Sequence, residues 1–272
     1  MSPITFLILV AGLVLLVIGA EFLVKGSSRL AAMLRIPPLI IGLTVVAYGT
    51  SAPEMSVSVM SALSADGADI AIGNVVGSNI CNVLLILGLS ALIAPLGVTK
   101  QMIRSDVPIM IGVSFLLLLF SLDGQLSKVD SIILFIGGVT YTLSLIYQSS
   151  KQSVEHDEFT EEYSLSEPVT LIAWVKNGVY IIGGLVLLVL GSRWLVASAI
   201  TIAEYFQVSK LIVGLTIVAV GTSLPELFTS VVASYRGETE IAVGNVLGSN
   251  IFNILAVLGI SGIVAPNGIN VS

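Results

Sequence analysis

Glu54 closes the hexapeptide Gly-Thr-Ser-Ala-Pro-Glu at 49–54, and Glu226 closes Gly-Thr-Ser-Leu-Pro-Glu at 221–226. Proline has no amide hydrogen, so Pro53 and Pro225 leave the carbonyls of Gly49 and Gly221 without their helical partners and predict a broken helix at each place. Thr50, Ser51 and Glu54 stand at spacings that bring two hydroxyls and a carboxylate to one side of such a turn, and Thr222, Ser223 and Glu226 repeat the set. A stripe of oxygen-bearing side chains at intervals of four follows, Asn74, Ser78 and Asn82, and recurs as Asn245, Ser249 and Asn253. Oxygen donors without sulfur or imidazole suit a hard cation such as Ca²⁺, which takes about six to eight oxygens at ~2.3–2.6 Å.

The elements that must hold these residues are apolar. Hydrophobic residues make up 56% of the 272 and charged residues only 10%, with a mean hydropathy of +1.05, which predicts lipid as the solvent. Eight apolar spans are expected near 4–34, 38–64, 69–94, 106–122, 129–148, 169–204, 210–234 and 240–264, the first and sixth long enough to tilt strongly. The first lacks a basic leader and a cleavage site, so it reads as a span and not as a signal peptide. A carboxylate near the bilayer centre costs ~2.5–3.5 kcal/mol on insertion scales. No Lys or Arg shares the depth of either glutamate, which leaves a bound cation as the simplest compensation. Cys81 has no partner for a disulfide or thiolate cluster, and six acids gathered between Lys151 and Pro168 leave no basic surface for nucleic acid. No span contains a histidine and no nucleophile and base pair is visible, so enzyme chemistry is not expected.

Self-comparison organises the chain. Gly42 to Val59 matches Gly214 to Val231 at twelve of eighteen positions, and Ile70 to Pro95 matches Ile241 to Pro266 at sixteen of twenty-six. Five spans separate the copies, and an odd number turns the second upside down in the membrane, the inverted-topology repeat of alternating-access transporters. The expected organisation is a first repeat over 1–148, an acidic loop over 149–168 and a second repeat over 169–272. On this register Ser272 corresponds to about Gln101, so counterparts of the fourth and fifth spans, which would make ten, are absent. The balance of Lys and Arg puts Lys25, Arg29, Arg35, Lys100, Arg104, Lys151, Lys176 and Arg236 on the cytoplasmic side, against Lys128, Arg193 and Lys210 outside. The N-terminus is then external and the acidic loop cytoplasmic.

GTSAPE with GNVVGSNICN, and GTSLPE with GNVLGSNIFN, resemble the two alpha-repeats of the cation/calcium exchanger superfamily, nearest to bacterial calcium/sodium antiporters. The likeness runs over nearly the whole chain. It implies an all-α polytopic membrane bundle with ion sites at mid-membrane on the second, third, seventh and eighth spans, in a bacterial inner membrane. The implied ligands are Glu54 and Glu226, the hydroxyls of Thr50, Ser51, Thr222 and Ser223, carbonyls near Ala47 and Ala219, and the side chains of Ser78, Asn82, Ser249 and Asn253. Some relatives carry aspartate where Asn82 or Asn253 stands here, a departure that counts against potassium co-transport.

The function expected is antiport of Ca²⁺ against Na⁺ with no cofactor and no obligate protein partner beyond lipid and the carried ions. Proton/calcium exchange, in which the glutamates themselves load protons, is the nearest alternative. The bland readings are a proline kink with a buried protonated acid for the two hexapeptides, helix packing for Gly73-x-x-x-Gly77 and Gly244-x-x-x-Gly248, helix ties or ion contacts for Asn74 and Asn245, and a solvated linker for Glu155, Asp157, Glu158, Glu161, Glu162 and Glu167 around His156. Glu21 and Arg193, at matched positions, read as snorkelling or paired.

Overall fold

The computed structural model describes residues 3–63, 68–152, 170–207 and 219–271. The acidic stretch with its six acids and His156, and the start of the expected seventh span, lie outside the described residues.

Long runs without interior proline make continuous helices. α1 spans Pro3–Leu34 and stops where Arg35 turns to φ 54° ahead of Pro37 and Pro38, which cannot continue a helical ladder. α2, Pro38–Thr50, contains a π-helical turn at Gly42–Val46; α3 is Ala52–Ala62. α4 runs over Ala68–Cys81 and continues through a π turn, Asn82–Ile86, into Leu87–Ile93. α5 is Met102–Phe120, and α6 is Lys128–Gln152. α7 spans Leu171–Tyr205, with the Thr170 hydroxyl accepting from the Ala173 amide at its start. A single turn, α8 (Ala219–Gly221), and α9 (Leu224–Tyr235) precede α10, Thr239–Val264, which has its own π turn at Asn253–Leu258.

Six of these helices are long and apolar enough to cross a membrane, so the chain is a mostly helical, polytopic membrane fold. The other two expected spans differ from plain crossings: 38–64 is divided between α2 and α3, and the described part of 210–234 between α8 and α9. The expected start of the fourth span at residue 106 also moves. Thr99 accepts from the Met102 amide through its hydroxyl, which begins the helix earlier and draws Arg104 and Asp106 into a π turn although their charge reads as loop. At the other end of α5 a short ribbon, β1 (Gln125–Leu126) with β2 (Ile269–Asn270), is antiparallel and ties the α5–α6 connection to the chain beyond α10. Ser127 and Asp130 then form a reciprocal cap on α6, the Ser127 amide donating to Asp130 Oδ2 at 3.0 Å and the Asp130 amide to Ser127 Oγ at 3.2 Å.

Packing is uneven. In the apolar window of α10, 83% of residues are buried, against 22% for α4, so α10 is the central post. α5 and α6 lean on it through a cluster that includes Leu117, Leu134, Ile251 and Leu255. α1 and α7, 32 and 35 residues long, lie side by side and reach ~48–53 Å at ~1.5 Å per residue, well beyond ~30 Å of hydrocarbon. Glycines set their approach: a Cβ on Gly12 would lie 2.9 Å from the Gly191 carbonyl oxygen, and one on Gly19 would lie 2.9 Å from that of Gly184. Gly244 and Gly248 of α10 likewise meet the backbone of α2 at Leu39 and Leu43, as packing requires, whereas a Cβ on Gly73 or Gly77 of α4 would meet nothing within 4 Å among the described residues, so that pair does not pack a helix. Glu21 is paired with Arg236, and Ser28 Oγ donates to Glu238 Oε1 at 2.6 Å, which fastens α1 to the α9–α10 turn.

Gly184→Leu should therefore push α1 and α7 apart and cost about 1–3 kcal/mol, read as a lower midpoint of thermal unfolding in detergent. Gly183→Leu, whose Cβ meets nothing within 4 Å, should leave that midpoint nearly unchanged.

Candidate functional site

The two hexapeptides break their helices where proline requires it. Ser51 and Ser223 leave helical geometry at φ −80°, ψ 7° and φ −86°, ψ 6°, and Pro53 and Pro225 occupy the first turns of α3 and α9, where no amide is needed. Each restarted helix carries its glutamate in that first turn, so the positive end of the helix dipole faces the carboxylate.

The breaks lie against each other. Ser51 Oγ donates to Glu226 Oε1 at 2.9 Å, and Ser223 Oγ donates to Glu54 Oε1 at 3.2 Å, so each hydroxyl crosses to the acid of the other repeat. Glu54 is 0% exposed and Glu226 1%. The buried carboxylic acids among the described residues are these two and Asp106 of α5; no described Lys or Arg is buried with them.

The stripes on α4 and α10 support the breaks from behind. Asn74 donates through Nδ2 to the Glu54 carbonyl at 3.2 Å and to Ser58 Oγ at 2.9 Å. Asn245 donates to the Glu226 carbonyl at 3.3 Å and to Ser230 Oγ at 2.9 Å. Their carbonyl oxygens accept from the hydroxyls of Thr222 at 3.5 Å and Thr50 at 3.1 Å. Both amides thus tie their helices to the two breaks.

Several oxygens nearby have no protein partner. Glu54 Oε2, Glu226 Oε2, Asn82 Oδ1, Asn253 Oδ1 and Ser249 Oγ are buried without a hydrogen bond. Ser78 differs from Ser249, because its hydroxyl donates to the Asn74 carbonyl at 2.7 Å. The Ala47 carbonyl accepts from the Ser51 amide at 3.0 Å and from the Thr50 hydroxyl at 3.3 Å, and Ala219 opens α8. α7 covers both breaks, with Leu185 against Gly49 and Val196 against Gly221. Buried acceptors without donors are costly, and a cluster of them is a shell suited to a cation.

A family model for the sodium/calcium exchanger protein matches residues 4–149 and 176–272. The chain belongs to the sodium/calcium exchanger family. Members of this family are transporters, and the membrane assignment from composition agrees with them. The sodium/calcium exchanger MaX1 of Methanosarcina acetivorans is 35% identical over 98% of the chain and 85% of that protein. The inner membrane protein YrbG of Escherichia coli is 40% identical over 97% of the chain and 81% of its own length. The fold matches the sodium-calcium exchanger NCX_Mj, in a form soaked with 2.5 mM Na⁺ and 0.1 mM Ca²⁺, with a TM-score of 0.85 at 30% identity, over 99% of this chain and 85% of that one.

The residues that the sequence reading overlooks are Asn79, Asn250, Ser58 and Ser230, which the hydrogen bonds bring to the site. They occur as matched pairs, so the internal repeat is the signal that marks them.

Ser51→Ala should leave Glu226 Oε1 without its donor and cost about 1–3 kcal/mol, seen in thermal unfolding without added cation. The double variant with Ser223→Ala should be non-additive, because the two hydroxyls serve one coupled pair of acids.

Proposed function

We propose that this chain exchanges Ca²⁺ for Na⁺ across the membrane by alternating access, with both ions using one site between Glu54 and Glu226. The observation that carries the reading is the pair of buried carboxylates, each bridged to the other repeat by a serine and each keeping one oxygen without a partner. Their two negative charges match one Ca²⁺ or several Na⁺. Sharing the same oxygens makes occupancy by one ion exclude the other, and because the site crosses readily only when occupied, that competition produces antiport.

The ligand set proposed is the carboxylates of Glu54 and Glu226, the oxygens of Thr50, Ser51, Thr222 and Ser223, the carbonyls of Ala47 and Ala219, and the side chains of Ser78, Asn82, Ser249 and Asn253. The free oxygens on Glu54, Glu226, Asn82, Asn253 and Ser249 support it most directly. We read the architecture as eight crossings with two repeats of opposite orientation, over 1–148 and 169–272, joined by a cytoplasmic loop at 149–168, with the N-terminus outside a bacterial inner membrane. Reciprocal hydrogen bonds between matched residues support a pseudo-twofold relation between the copies. In this reading α1 and α7 slide as a unit over a core holding α2, α3, α4, α8, α9 and α10. Their mutual glycine contacts keep them together, and α7 covers both helix breaks.

The test is Ca²⁺ uptake into proteoliposomes loaded with Na⁺. An outward Na⁺ gradient should drive uptake, whereas uptake driven by a pH gradient alone and indifferent to Na⁺ would assign proton exchange instead. Glu54→Gln and Glu226→Gln should each lower the initial rate by at least about 100-fold, a loss of ~2.7 kcal/mol or more, while the protein stays monodisperse.

A further inference from the structure

Asn82 and Asn253 each end in an amide whose two faces are electrostatic opposites. Only the carbonyl oxygen can meet a cation; the NH₂ group repels it. What decides the rotation of these two side chains therefore decides whether each adds to binding or opposes it.

The structure contains a chain of hydrogen bonds that settles each rotation. Asn79 Nδ2 donates to the backbone carbonyl of Asn250 at 3.1 Å. A backbone carbonyl can only accept, so the NH₂ of Asn79 must lie there and its Oδ1 must face the other way. That oxygen accepts from Asn253 Nδ2 at 3.1 Å, which leaves Asn253 Oδ1 buried and without a partner. The second repeat supplies the matching chain by a different anchor. Asn250 Nδ2 donates to the Met110 sulfur at 3.5 Å, a thioether that also only accepts. Asn250 Oδ1 then accepts from Asn82 Nδ2 at 3.0 Å, and Asn82 Oδ1 is left buried and free. Asn82 and Asn253 are each 1% exposed, so water offers no alternative partner.

We infer that Asn79 and Asn250 are positioning residues: through their own anchored amides they hold Asn82 and Asn253 with the carbonyl oxygen, and not the NH₂, presented to the cation. This rests on the reading of the site as a Ca²⁺ and Na⁺ site. Neither Asn79 nor Asn250 touches the ion in this scheme. Each repeat orients the amide of the other, which couples the two halves of the site through side chains as well as through the serine to glutamate bonds.

An aspartate in place of Asn253 presents oxygen whichever way it rotates, and so no longer needs orienting. Binding is read on the full chain, purified in detergent, as the Ca²⁺ concentration that gives half the maximal rise in unfolding temperature. Asn79→Leu should raise that concentration at least tenfold when residue 253 is Asn and less than twofold in the Asn253→Asp background. An equal change in both backgrounds would mean that Asn79 acts only by packing, and no change in either would remove its role; both results overturn the assignment while leaving the site intact. If the unaltered protein shows no Ca²⁺-dependent shift at any concentration, the calcium reading of the site falls first and the assignment with it. Should Asn79→Leu not yield monodisperse protein, the mirror cycle of Asn250→Thr with Asn82→Asp carries the same expectations.

Discussion

Two carboxylates are buried close together in an apolar fold, with no buried base among the described residues to offset them. That constraint governs the rest of the structure. An isolated charge in such a place is expensive, and two of like sign repel as well, so every nearby element lowers the cost of keeping them. Proline-initiated helix starts direct a positive dipole end at each acid. Serines from the opposite break donate to one oxygen of each. The other oxygen of each acid and the carbonyls of Asn82 and Asn253 remain buried without a hydrogen-bond partner.

Irregular helix geometry recurs where the chain must serve this arrangement. The π turns at Gly42–Val46, Asn82–Ile86 and Asn253–Leu258 lie in the helices that face the site, and Asn82 and Asn253 are the first residues of two of them. A π turn rotates the residues that follow relative to those before, so one helix can present Asn74 to the Glu54 backbone while Asn82 reaches the opposite helix. Away from the site the packing is of another kind. Gly12, Gly19, Gly184 and Gly191 bring α1 and α7 backbone against backbone, and Phe22 packed edge-on to Tyr180 with Leu16, Leu23, Ile181 and Leu188 fills the rest of the seam.

The two repeats make matched serine to glutamate bonds at the site and are unequal at the periphery. Gly259 of α10 is covered by Phe135 of α6, whereas its counterpart Gly88 on α4 meets nothing within 4 Å among the described residues. The same sequence pattern is therefore core in one copy and surface in the other. The physical cause is the presence of α5 and α6 against α10, with no comparable pair of described helices against α4. α1 is fastened to the second copy through Glu21–Arg236 and Ser28–Glu238, and the sequence places Arg193 at the position matching Glu21.

By itself the sequence determined the solvent, the helical class, the duplication and both helix breaks. These follow from local causes: apolar composition, absence of interior proline, and an absent amide at Pro53 and Pro225. It also named the oxygen-bearing residues, because a repeated motif exposes them without knowledge of contacts. Only the tertiary structure decided which oxygens are free. Ser78 and Ser249 are matched in sequence, yet the first donates to a helical carbonyl and the second has no partner. Asn74 and Asn82 share a stripe, yet one is a tie and the other ends in a free carbonyl. Hydrogen-bond direction depends on which group lies opposite, and that group comes from a helix roughly 170 residues away, beyond the reach of spacing or periodicity.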